Sequence, residues 1–161
     1  MALTTCLWFD GNGREAAEFY VANFPESSLG RNWIAPAKTP SNEIGSEVVV
    51  DFTIFGMPFI ALNGGPMFKF NEAISFAIPC ADQAEIDHYW DLLVRDGGAP
   101  SQCGWLKDKF GVSWQVTSRE MEQYIGGPDP NGAKAATEAM LTMTKLDISE
   151  LRRAYESAAA Q

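Results

Sequence analysis

Histidine is nearly absent from this sequence: His88 is the one example in 161 residues. That excludes any two-histidine metal motif within the chain, such as HExxH. Cysteine is scarce as well. Cys6, Cys80 and Cys103 are odd in number, scattered, and never in a CxxC arrangement, which argues against a disulfide framework or a zinc knuckle. The expectation is three reduced, half-buried thiols in a cytoplasmic protein. Positive charge is in deficit, with 12 Lys and Arg against 21 Asp and Glu and a net charge of −9. Nucleic-acid binding needs clustered basic residues to neutralise phosphate, so it is disfavoured. An anionic membrane surface is disfavoured on the same ground. No segment approaches the roughly 18 uninterrupted apolar residues of a membrane span. The opening Met-Ala-Leu-Thr-Thr-Cys lacks the basic region and apolar core of a signal peptide.

What is present is a globular composition, 46% apolar and 12% aromatic. At ~150 residues per domain, the length predicts one domain or two small halves. Self-similarity favours the halves. Residues 3–9 form an apolar, strand-like run, followed by Asp10-Gly-Asn-Gly13 and then a segment with Ala16, Phe19, Tyr20 and Phe24 at helical spacing. Asn12 is placed as its N-cap, with Glu15 three residues on as in a capping box, and Pro25 as its stop. Seventy residues later the roles recur. Residues 74–78 are strand-like, Asp82 is the cap and Glu85 the capping acid. Ile86, Tyr89, Trp90, Leu93 and Val94 make the stripe, and Gly97-Gly98 the stop.

Similar segments follow each helix. A weak strand is expected within residues 28–35. Residues 47–55 alternate apolar with polar, Gly56-Met57-Pro58 reads as a hairpin turn, and residues 59–63 as the returning strand. After the second helix come strands at 102–106 and 112–117. Each unit reads strand–helix–strand–strand–strand, the second compressed. Short turns between strands predict a mainly antiparallel, α+β fold, not a doubly wound parallel sheet. Beyond residue 117 the pattern becomes helical: a short helix at 120–125, a Gly/Pro loop at 126–132, a helix at 133–144, and a last helix capped by Asp147 with Glu150. Ala136, Met140 and Met143 read as a packing stripe covering this core or a partner subunit. The expected organisation is a paired domain at 1–117, with units at about 1–66 and 73–117, plus a helical extension at 118–161.

Several strings carry a family resemblance. They are Cys-Leu-Trp-Phe-Asp-Gly-Asn at 6–12 with Ala-Ala-Glu-Phe-Tyr at 16–20, and Leu-Asn-Gly-Gly-Pro at 62–66. To these add Phe-Lys-Phe-Asn-Glu-Ala at 68–73 with Ser75-Phe76, and Cys-Gly-Trp-Leu-Lys-Asp-Lys-Phe-Gly-Val-Ser-Trp-Gln at 103–115. The tail Ala-Met-Leu-Thr-Met-Thr-Lys-Leu-Asp-Ile at 139–148 completes the set. Together with the paired units they resemble the vicinal oxygen chelate superfamily of glyoxalase I, bleomycin resistance proteins and extradiol dioxygenases. Within it they resemble the PhnB-like branch that carries the label 3-demethylubiquinone 3-methyltransferase domain. The resemblance implies two βαβββ units with sheets curled round a cavity, and a homodimer. In metal-dependent members the first and last strands of the units supply His, Gln or Glu ligands. The corresponding positions here are 3–6, 73–75, Asn63 and Gln115. They offer only the neutral oxygens of Thr5, Asn63, Ser75 and Gln115, with Glu72 just outside its window. No tight metal and no cofactor is therefore expected.

Other candidate chemistry is weighed residue by residue. His88 falls off the buried stripe and reads as solvated, so no Ser-His-Asp or Cys-His pairing is evident. Gly11-Asn-Gly13-Arg-Glu-Ala16 fits a G-x-G-x-x-A nucleotide or S-adenosylmethionine loop, but the required strand ending in an acid ~20 residues later is missing. A tight strand-to-helix turn is the better reading, and it undercuts the methyltransferase label. Asn63-Gly64-Gly65-Pro66 reads as a sharp exit turn or a close approach to a ligand. In Trp105-Leu-Lys107-Asp-Lys109, a solvated turn competes with an anion-binding role for Lys107. Cys103 lacks any evident activating neighbour. Trp8, Trp90 and Trp114 are expected between helix and sheet, whereas Trp105 and Phe70 suit stacking on a ligand. The leading expectation is a small-molecule-binding protein of the glyoxalase/bleomycin-resistance type, with pocket residues Thr5, Phe9, Asn63, Phe70, Ser75, Trp105, Lys107 and Gln115. The alternatives are a metal-assisted lyase, isomerase or dioxygenase-like enzyme, and, disfavoured, a methyltransferase.

Overall fold

A computed structural model describes residues 3–159. The chain divides into two compact units, with the boundary between Phe70 and Asn71. In the first, β1 (Thr5–Phe9) leads into α1 (Gly13–Asn23), then β2 (Leu29–Ile34), β3 (Glu47–Ile54) and β4 (Met57–Asn63). The sheet order is β1-β4-β3-β2. Only β1 and β4 run parallel, because the helix crossover separates β1 from the hairpin-linked strands. Alternation along β3 buries Val48, Val50, Phe52 and Ile54 on one face. α1 lies on that face with Ala16, Ala17 and Tyr20 fully buried. The two alanines let the helix approach closely, and Tyr20 stacks on Phe52, which stacks on Phe59. β2 is an edge strand exposed throughout, with a register shift between Leu29 and Asn32. The reason for Gly30 is local: a Cβ there would come 3.0 Å from that of Asp51.

The second unit repeats the plan. β5 (Phe76–Cys80) and α2 (Gln83–Val94) precede β6 (Ala99–Pro100), β7 (Trp105–Lys107) and β8 (Ser113–Ser118), in the order β5-β8-β7-β6. The glyoxalase-like pair of βαβββ units is thus present as two four-stranded mixed sheets, each with a helix on one face. α2 buries Ile86, Tyr89, Trp90 and Leu93 as the periodicity predicted, with Leu92 buried in addition and Val94 only half-buried. β6 has only two residues, too short to leave a periodic signature, and the sequence reading did not resolve it. It follows a 3-10 turn at Arg95–Gly97. Gly98, next in the chain, has room for no side chain, since a Cβ would lie 2.2 Å from the Leu93 carbonyl oxygen.

Three helices complete this unit: α3 (Met121–Ile125), α4 (Pro130–Thr142) and α5 (Ile148–Ala159). α4 starts earlier than expected. Pro130 suits the first helical turn, and the Asp129 carboxylate accepts the Gly132 N–H at 2.8 Å. Residues 130–132, read as loop, are therefore helix, and Met143 falls just past its end. Gly127 and Gly132 leave space for the ring of Tyr155. The tail is joined to the sheet by backbone bonds from Cys103 and Gly104 to the carbonyls of Met143 and Thr144, 2.8 Å each. It is joined to α2 by the Gln83 side chain, which donates to the Leu146 carbonyl and accepts from Ile148 N–H. No helix among the described residues is long and apolar enough to cross a membrane.

Candidate functional site

Each sheet has one face under its helix and one face away from it, and the strand registers assign every candidate to one or the other. In the first unit Leu7, Phe9, Phe59, Ala61 and Asn63 share the α1 face. The structure therefore places Phe9 and Asn63 beneath the helix, with half-buried Thr5 on the same face of β1, and not on the open side. Phe70 meets the edge of Phe9 with centroids 5.3 Å apart.

Asn63 has a defined structural task. Its Oδ1 accepts the Gly13 N–H at 2.9 Å, and its Nδ2 donates to the Glu47 carbonyl at 2.9 Å. Its own carbonyl accepts from Asn42. Asn63 thus caps α1 from across the sheet. Asn12, assigned that role from sequence, makes no side-chain capping bond. Gly13 is glycine because a Cβ would lie 2.8 Å from Asn63 Oδ1. Gly11 is glycine because its φ is +86°. The G-x-G-x-x-A string is accounted for by this turn, and the first helical N–H is already occupied. In the second unit the cap is local, as predicted: Asp82 accepts from Glu85 N–H at 2.9 Å, and Glu85 accepts from Ala81 N–H at 2.8 Å.

Trp8 corrects a second expectation. It lies on the face away from α1, opposite Leu62, with Nε1 donating to the Gly65 carbonyl at 2.7 Å and Phe68 at its edge. A Cβ on Gly64 would fall 2.3 Å from the indole ring. The Asn-Gly-Gly-Pro string is therefore the seat of a tryptophan, not a ligand approach.

The remaining four candidates converge. On β8, Gln115 is opposite Trp105 of β7 and beside Ala77 of β5, on the face away from α2. Its Nε2 donates to Ser75 Oγ at 2.8 Å. Lys107 follows Trp105 by two residues, which puts both side chains on that face about 7 Å apart. The Lys107 ammonium is 2.5 Å from a Glu72 carboxylate oxygen, and this contact holds the Glu72 carboxyl below its usual range. Trp105, Lys107, Glu72, Ser101 and Ser113 border a groove of about 410 Å³, inside the size range of small-ligand sites. Ser101 and Ser113 were not singled out from sequence, although the Ser113–Gln115 alternation carries the signal.

The first unit holds a groove of about 390 Å³ at the corresponding place, bordered by Arg31, Asp51, Thr53 and Pro58. Aligning β1 with β5 by their matching burial, registers equate Asp51 with Trp105, Thr53 with Lys107 and Pro58 with Ser113. The two grooves are thus repeats in position but not in chemistry. The first offers a loose ion pair, Arg31 to Asp51 at 3.8 Å; the second offers an indole, a cation and hydroxyls.

Asp108 is not the solvated turn residue expected. It is buried, and its carboxylate accepts from Phe110 N–H, Val112 N–H and Trp114 Nε1 between 2.8 and 3.0 Å. It locks the β7–β8 turn. His88 is exposed on α2 with its ring against Tyr89. Among the described residues no group of three or more His, Cys, Asp or Glu could hold a metal ion. Asn63 and Gln115, the carried-over ligand positions, are neutral amides with Asn63 committed to the helix cap, so the residues present do not fit a divalent metal centre. Of the thiols, Cys80 is fully buried, with its pKa pushed up to about 12 by desolvation and then by Glu85 and Asp82. Cys6 is exposed, although partial burial still raises its pKa.

Comparison with known proteins gives the family and relatives of the same fold. The 3-demethylubiquinone-9 3-methyltransferase family model matches residues 1–117. Among solved structures, the PhnB protein of Bacillus cereus, provisionally named a 3-demethylubiquinone-9 3-methyltransferase, is 31% identical. The match has a TM-score of 0.64 and covers 73% of this chain and 99% of that one. Protein PA1353 of Pseudomonas aeruginosa is 19% identical at a TM-score of 0.58, covering 73% and 97%, and shows the shared fold. No curated protein matches the chain.

Proposed function

The chain belongs to the 3-demethylubiquinone-9 3-methyltransferase family, and within it we propose that this protein is a small-molecule-binding domain whose site is the groove on the second sheet. One observation carries the reading. Trp105, Lys107 and the hydrogen-bonded Gln115–Ser75 pair share the face away from α2, beside a groove of ligand size. An apolar ring with a few fixed polar groups suffices for binding without a metal. The methyltransferase activity in the family's name would need a cofactor loop. The α1 N-terminus, where a cofactor anion would be received in a glycine-rich loop, is closed by Asn63. Indole ¹⁵N spectra test the proposal with 2-naphthol as probe. Saturable shifts centred on the Trp105 resonance, assigned with Trp105→Phe, support it. Shifts that never saturate, or that centre on another tryptophan, refute it. Saturable binding of S-adenosylmethionine would favour the methyltransferase instead.

A further inference from the structure

The Lys107–Glu72 pair suggests which class of molecule the groove takes, an inference that rests on the binding role just proposed. Glu72 belongs to the segment before β5 and is 64% exposed at its side chain; Lys107 is anchored in β7 and 36% exposed. The carboxylate comes from a chain segment outside the sheet, the cation from the sheet itself. A partly solvated pair of this kind is weakly held. A ligand carboxylate arriving at Lys107 would exchange one carboxylate for another, with no newly buried charge. The same ligand would lie along the strand toward Trp105, whose ring offers a flat apolar surface about 7 Å away. The Ser101 and Ser113 hydroxyls border the same space.

We propose that the groove of the second unit binds flat aromatic carboxylic acids, the acid group on Lys107 and the ring against Trp105, and that Glu72 is an internal carboxylate occupying the acid's place until the ligand displaces it. Glu72 is then a competitor, which is unusual for an ion-pair partner: its removal strengthens binding.

The experiment is calorimetric titration of the full chain with 2-naphthoate and with its neutral analogue 2-naphthalenemethanol. Glu72→Gln tightens 2-naphthoate by about threefold, the range an exposed ion pair allows, and leaves the alcohol unchanged. Lys107→Met weakens 2-naphthoate by about tenfold or more, as loss of a charge-assisted contact implies, and again spares the alcohol. Equal binding of both compounds, unaffected by either substitution, overturns the assignment of the acid while the groove stands. Saturable binding of neither compound overturns the groove as well. Circular dichroism of both variants checks that the fold persists, and Lys107→Arg, which keeps the cation, restores most of the affinity.

Discussion

Removing the Asn63 amide should cost the first unit more than its helix cap alone suggests. Asn63→Ala deletes an N-cap, worth typically ~1 kcal/mol. That cap is the bond from the Gly13 N–H, and the same side chain also donates to the Glu47 carbonyl, at 2.9 Å each. Losing the second bond adds about 1 kcal/mol, so the expected loss is about 2 kcal/mol. Asn12→Ala should change stability by no more than about 0.5 kcal/mol, because that side chain makes no capping bond. A double-mutant cycle sharpens the test. Gly13→Ala drives a Cβ to 2.8 Å from Asn63 Oδ1 and 3.2 Å from the Ala61 Cβ. It should therefore be destabilising in the native background and milder once Asn63 is alanine, giving a coupling of about 1 kcal/mol. Urea unfolding followed by circular dichroism gives the energies, and hydrogen exchange at the Gly13 amide reports the cap itself. Strict additivity, or an Asn63→Ala loss no larger than that of Asn12→Ala, would refute the assignment.

Other outcomes follow from the same geometry. Gly64→Ala pushes a methyl into the Trp8 ring and should cost about 2 kcal/mol with a shift in tryptophan emission; an unchanged emission and melting temperature would dismiss the seat. Glu47 accepts two bonds from Arg14, at 2.7 and 2.5 Å, and these hold its carboxyl below the ordinary glutamate value. A depressed folded pKa stabilises the protein above the unfolded value and loses that contribution as pH falls below it. Stability should thus decline on acidification below about pH 4.5, and Glu47→Gln should flatten that decline; an unaltered acid limb in the variant counts against it. Because the Cys80 thiol is fully buried and protonated up to about pH 12, iodoacetamide at pH 8 should label Cys6 well before Cys80, as peptide mass spectrometry would show; early labelling of Cys80 contradicts the burial.

Periodicity made the two-unit plan legible, because each helix and each long strand declares its own buried face. It also gave the α2 stripe and the Asp82 cap, whose partners lie within three residues. What periodicity does not encode is which face of a strand a helix will cover. That is why Thr5, Phe9 and Asn63 read alongside Ser75, Trp105, Lys107 and Gln115, although the registers put only Trp105, Lys107 and Gln115 on the face away from a helix, with Ser75 bonded to Gln115. Trp8 was placed beneath the helix for the same reason. Asp108 differs in the other direction: a charged residue in a turn reads as solvated until the donors around it are placed, whereas Glu72 is the exposed turn residue expected. Asp129 and Pro130 are a helix-start signal, but the glycines around them read as loop.

The difference between the two helix caps bears on how the halves come together. α2 carries its cap three residues from the N–H it serves, so its first turn closes as the helix nucleates. α1 depends on a residue 50 positions away at the far end of β4. By loop-closure scaling, bringing such a partner into place costs about 2.5 kcal/mol more chain entropy than closing a three-residue cap. Two units of one plan therefore differ in how much chain must be ordered before their helix caps close. The α2 cap needs only the helix's own first turn, whereas the α1 cap needs β4 in place.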